Sequence, residues 1–236
     1  MRSRDDFLSG MKKALPVAFG YIPIAITYGI LAENTGIPAY ITVLMSVVVF
    51  AGASQFVALN LIALGLGSWE IISTTFVVNF RHFLMSASLS QKIIRKISGK
   101  LIPIISFGVT DESFSILSMV STKKLNSYFI LGVNTLGYLA WVGGSFAGVY
   151  LGRGLPEALQ NSMGIALYAM FIGLLIPNIK KSRAALGISL MALVTNSFLY
   201  WSPFRVLSTG WKIIITTVVV SATGAFLFPE EVITNE

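Results

Sequence analysis

No cysteine occurs among the 236 residues, which excludes disulfides, thiolate metal sites and a thiol nucleophile. Charge is scarce as well. Only 11% of the residues are Asp, Glu, Lys or Arg, against roughly 25% in an ordinary soluble domain, while 55% are apolar. No polar stretch is long enough to fold as a separate soluble domain. No Walker A sequence is present, so energy comes from an ion gradient or from ATP hydrolysed by another subunit. A cleavable signal is not expected, because the first apolar run follows Met11-Lys12-Lys13 and continues past the length of a signal h-region. The net charge of +7 does not point to nucleic acid: Lys and Arg sit in short clusters between apolar runs, where they set orientation and meet anionic lipid headgroups. What is left is an all-α integral membrane protein, read as one domain over residues 1–236, with nothing that calls for a cofactor or a metal.

Eight apolar segments follow a short charged arm, residues 1–13, that can lie at the interface. The first runs from about Ala14 to Ala32, and its internal Pro23 predicts a kink or a split. The second, Ala39 to Gly65, exceeds the ~20 residues needed to span. Its small-residue centre, Phe50-Ala51-Gly52-Ala53-Ser54-Gln55-Phe56, predicts a broken helix or a close helix contact. The third, residues 71–90, carries Asn79, Arg81 and His82 at its middle; the fourth, about Leu101 to Val120, carries Asp111 and Glu112. In the fifth, Tyr128 to Leu151, Gly144, Gly148 and Gly152 recur every four residues and predict close packing on one face. The last three run from about Gln160 to Ile179, Ala184 to Trp201 and Lys212 to Phe228.

Positive charge weighs against eight crossings. If all cross and the N-terminus is cytoplasmic, nine Lys and Arg lie inside and seven outside; if one of the first two segments and also the fourth re-enter, the split becomes 13 against 3. The positive-inside rule favours the second arrangement. The expectation is a helical bundle of 6–8 membrane segments with broken or re-entrant helices and both termini cytoplasmic. Charge does not say which early segment re-enters. A three-segment internal repeat is also suggested, because Phe19-Gly20 and Tyr40 match Phe107-Gly108 and Tyr128 at an offset of 88. Its units would be residues 14–90 and 101–180, with two further helices at 184–228. Three crossings per unit would make the repeats inverted, and re-entrance would make them parallel.

The polar residues at depth are the candidate site. Placing Arg at a bilayer centre costs roughly 2.5–3.5 kcal/mol even on a lenient scale, so Arg81 needs a carboxylate partner or a function. Its partner is either Asp111 or Glu112, or an anionic group of a substrate held by the planar guanidinium fork. Thr75, Asn79, His82 and Ser86 share a helix face; a bundle-holding role and a pathway lining are both open. A buried carboxylate beside a cation can load and release a proton, which is what proton coupling requires, and His82 could relay one. Gln55 and Ser54, at the expected break, offer neutral donors and acceptors or simple packing. Asn134, Tyr138, Trp141 and Ser145 share a face of the fifth segment, where core packing is the simpler expectation.

Three motifs, in order, carry a resemblance: Phe50-Ala-Gly-Ala-Ser-Gln-Phe56, then Val78-Asn-Phe-Arg-His82 with Ser88-Leu89, then Thr110-Asp-Glu-Ser-Phe114. From about Leu15 to Ile179 the chain resembles the AzlC family, the large subunit of bacterial branched-chain amino acid exporters. The resemblance implies export of leucine, isoleucine and valine, and in some members methionine, across the cytoplasmic membrane with a small AzlD-type membrane subunit. It does not assign substrate-binding residues.

Gln55, Ser54, Asn79, Arg81, His82, Asp111 and Glu112 are the expected substrate-binding or coupling residues, with Phe50, Phe56, Phe76 and Phe83 as the apolar surroundings. Secondary active, proton-coupled export is the leading expectation. The alternatives are an amino acid channel or facilitator, and a non-transporting scaffold subunit. An intramembrane hydrolase built on Ser86, His82 and Asp111 lacks a nucleophile elbow, so no enzyme is expected.

Overall fold

The computed structural model describes residues 2–91, 99–120, 125–154, 156, 166–201 and 206–229. Among them are ten α-helices: α1 (Arg2–Asn34), α2 (Ala39–Val49), α3 (Gly52–Ala63), α4 (Ser68–Ser90), α5 (Leu101–Phe107), α6 (Asp111–Ser118), α7 (Ser127–Leu151), α8 (Ala166–Lys181), α9 (Arg183–Trp201) and α10 (Thr209–Leu227). All eight expected segments appear as helix or as a broken pair of helices. The start of the sixth segment, the cluster at residues 92–96 and Lys123-Lys124 lie outside the described residues. Helices α1, α7, α9 and α10 are long and apolar enough to cross a membrane, and α5 with α6 makes a fifth candidate if the bent pair is one span.

Two compact units are present. One comprises Met1–Leu59 and Asn79–Ala166, the other Asn60–Val78 and Leu167–Glu236. The first is built on α1 and α7. A Cβ added to Gly144, Gly148 or Gly152 would strike Ile22 and Ala25, the Ile26 carbonyl, or Ile30 in turn, so the glycine row is the seam that lets the two backbones touch. The contacts climb both helices together: Gly10 lies on Phe129, Ile26 on Gly148 and Ile30 on Gly152. The two helices therefore run parallel.

The start of the chain is one continuous helix. Pro23 does not split the first segment, because α1 continues through both Pro16 and Pro23. An internal Pro costs about 3 kcal/mol in an isolated helix, but α1 is braced along its length by α7. Thr27 Oγ1 also donates to the Pro23 carbonyl at 2.9 Å, in the manner that makes membrane helices tolerant of Pro. The first residues of the chain belong to the same helix. They are the opening turns of α1, docked on the start of α7 through Gly10, Gly132 and a hydrogen bond from Asn126 to Asp6.

The second segment is broken, as its small residues predict. Helix α2 stops at Val49, Phe50 takes a left-handed conformation (φ 42°, ψ 49°), and α3 starts at Gly52. A side chain at Gly52 would collide with the Trp141 ring. The fourth segment breaks as well, with α5 and α6 bent by 112°. Gly108 fits there because any side chain would run into Asn134. Ile105, Val109 and Leu117 anchor this pair in a core with Ala14, Leu89, Leu125, Ile130 and Val133.

In the second unit α9 and α10 pack antiparallel, Gly187 facing Phe228 and Gly224 facing Ile188. Ser208, just before α10, donates to Glu70 in the first turn of α4. Gly210 is pressed against Glu70 and Thr74. Lys212 is buried, its ammonium 4.3 Å above the Tyr200 ring. Leu190, Leu193, Val194 and Phe198 stay exposed, as suits a face that meets lipid.

Candidate functional site

The two breaks come together in the first unit. The Phe50 ring lies 6.2 Å from Phe107, the last residue of α5, and Tyr138 touches both at 5.3 and 5.8 Å between ring centres. Interrupting a helix strands backbone carbonyls that hydrocarbon cannot solvate. Helix α7 answers that need at both breaks. Tyr138 donates to the Val47 carbonyl at 2.9 Å and, one turn earlier, Asn134 donates to the Ile105 carbonyl at 3.0 Å. The polar face expected to be core packing is thus the element that caps both half-helices.

Charge gathers at the second break only. Thr110 caps α6 in a reciprocal capping box with Ser113, and the first two residues of α6 are Asp111 and Glu112, a position the helix dipole favours for carboxylates. Arg81 on α4 pairs with Asp111 at 2.8 Å, the side chains 35% and 32% exposed. Tyr21 on α1 donates its phenol to Glu112 and lies 2.8 Å from Thr110 Oγ1. Adjacent carboxylates are therefore held by different helices in different ways. His82 is half-buried and within electrostatic reach of both Arg81 and Asp111. Two atoms here are buried without a hydrogen-bond partner among the described residues, the acceptor Asn79 Oδ1 and the donor Arg81 Nε.

Gln55 sits elsewhere. It is 1% exposed, accepts from Trp141 Nε1 at 2.9 Å and donates to Ser46 at 3.0 Å. Ser46 donates to Ser145, which donates to the Trp141 carbonyl, each at 2.8 Å. The network ties α3 back to α2 across the break and both to α7. Ser54 bonds its own turn, at the Ala51 carbonyl. Of the three polar clusters expected to meet, Arg81 and Asp111-Glu112 do so, while Gln55 stands apart from them, its partner Trp141 packing at 5.5 Å on the ring of Tyr21. Thr75 spends its hydroxyl on its own helix, at Ile71 and Ile72. Phe50 and Phe56 are buried at the first break, whereas Phe76 and Phe83 are exposed. Tyr21 was not anticipated; its one sequence signal is a phenol at mid-segment.

Residues 16–155 match the AzlC protein family. The chain is 28% identical over 184 residues to the inner membrane protein YgaZ of Escherichia coli (strain K12), covering 75% of each chain. It is 33% identical over 188 residues to a membrane protein of Archaeoglobus fulgidus, covering 78% of this chain and 80% of that one. It is 28% identical over 196 residues to the branched-chain amino acid transport protein AzlC of Bacillus subtilis (strain 168), covering 80% and 76%. No solved structure matches the chain significantly. An all-α membrane protein with two interrupted segments, a motif at each interruption and the third motif on α4 between them, the chain belongs to the AzlC family.

Proposed function

We propose that the protein is a secondary active exporter of branched-chain amino acids, driven by protons, and the large subunit of a two-component transporter with a small membrane partner. The observation that carries this reading is the half-exposed Arg81–Asp111 pair at the tip of a broken membrane segment. A purely structural ion pair at that depth would be expected to be enclosed, because lipid solvates neither charge. The similarity to the transport protein of Bacillus subtilis supports the substrate class.

The residues supply the three things that an apolar zwitterion needs. Arg81, with its spare Nε donor, takes the carboxylate; Asp111 or Glu112 takes the ammonium; the rings of Phe50, Phe107 and Tyr138 meet the side chain. Exchange requires that proton and substrate exclude each other. An ionised carboxylate holds the ammonium, and a proton arriving from the acidic side neutralises that carboxylate and evicts it. Asn79 and His82 line this cluster on α4, while Gln55 and Ser54 hold the first break in shape.

The test uses charge exchange. Arg81→Ala should abolish uphill leucine export at equal expression, and the double variant Arg81→Asp, Asp111→Arg should fold without recovering export. Full recovery would reduce the pair to a structural bridge. Leucine efflux that proceeds downhill and ignores a protonophore would mark a facilitator.

A further inference from the structure

Two observations bear on which segments turn back inside the membrane. First, α1 and α7 are parallel, so the end of α1 and the start of α7 lie on opposite faces. Secondly, α5 and α6 have 7 and 8 residues, roughly 10 and 12 Å at ~1.5 Å per residue. Bent at 112°, they fall short of a hydrocarbon core about 30 Å thick.

The parity then decides the early segments. Between the end of α1 and the start of α7 the chain must change sides an odd number of times. Helix α4, 23 residues and so roughly 34 Å long at ~1.5 Å per residue, is read as one change and α5–α6 as none, which returns α2–α3 to the face it came from. Because α4 separates them, the two hairpins enter from opposite faces, and their tips touch where Phe50 meets Phe107 and Tyr138.

We propose that α2–α3 and α5–α6 are re-entrant hairpins entering from opposite faces, and that the aromatic contact at their tips is the barrier between an outer and an inner half-pathway. Each hairpin and the span after it, α2–α3–α4 and α5–α6–α7, then form one unit of an inverted pair. The barrier lies at the bases of Asp111 and Glu112, so the acids sit where access changes sides. This last step rests on the transport reading; the hairpins do not.

The absence of cysteine makes the test direct. Single cysteines at Asn34, Ser68, Lys100 and Met119, in the full chain in whole cells, are treated with a membrane-impermeant maleimide. Positions 34 and 68 should label together on one face, and positions 100 and 119 together on the other. Either pair divided between faces overturns the hairpins. For the barrier, Phe50→Gly removes the ring while suiting a backbone at φ 42°. Purified into vesicles with an internal pH dye, it should leak protons several-fold faster than the parent, with the labelling pattern unchanged. Vesicles as tight as the parent's place the barrier elsewhere. Both readouts hold whether or not leucine is the substrate.

Discussion

The first break, between α2 and α3, and the second, between α5 and α6, solve the same problem with opposite materials. At the first, a neutral and enclosed set of side chains, Gln55, Ser46, Ser145 and Trp141, closes on itself. At the second, the chain places two carboxylates, partners one of them with Arg81 and the other with a phenol, and leaves the ion pair a third exposed. A closed network with satisfied donors rigidifies what it holds. A charged pair with access to a changing environment can be exchanged. The difference teaches that a broken membrane helix is not a site in itself: the polar groups at one break satisfy each other, while those at the other leave an ion pair partly open.

Breaking the charged side should have the largest effect. Asp111→Asn leaves Arg81 without its counter-charge. Proton-driven leucine export should fall by about two orders of magnitude or more at equal membrane content, as measured by efflux from loaded cells. The seam beneath both breaks comes next. A Val at Gly148 meets the Ile26 carbonyl, and overpacking of about 1–3 kcal/mol should lower the detergent melting temperature and the yield of folded protein.

Gln55→Leu should separate the two breaks. It strands the Trp141 indole N–H and costs about 1–3 kcal/mol of stability, so thermal stability should drop while export per folded molecule stays within a few-fold. An export loss as deep as that of Asp111→Asn, in a protein of parental stability, would move Gln55 to the site. The smallest effect is expected from Tyr21→Phe, which keeps the ring on Trp141 and removes the hydroxyl that bonds Glu112 and Thr110. It should shift the pH profile of export rather than its maximum, and an unmoved profile would count against coupling through Glu112.

The segments were legible because length and apolarity alone specify them: α7, α9 and α10 start and end within three residues of expectation. The first break was legible for a related reason, since Gly52 and its small neighbours cannot cover a helix's own backbone. Arg81 announced a partner through its cost, and the structure supplies Asp111. What could not be read was anything set by distant contacts. Whether Pro23 splits α1 depends on a neighbour more than 100 residues later, and a proline penalty computed from the segment alone gives the wrong answer. The bond from Tyr21 to Glu112 spans 91 positions, and no local pattern marks it. Asn134 and Tyr138 looked like packing because their acceptors, Ile105 and Val47, become available only once two other helices have been interrupted.

The parallel pairing of α1 with α7 also has a consequence in time. A helix that needs α7 to brace its two prolines is made first and must wait for about 120 further residues, roughly 6–24 s at ~5–20 residues per second. During that interval its row of small residues faces lipid or a chaperone. Helix α7 therefore closes the first unit, and variants that weaken the seam should be lost during biogenesis, before any transport cycle begins.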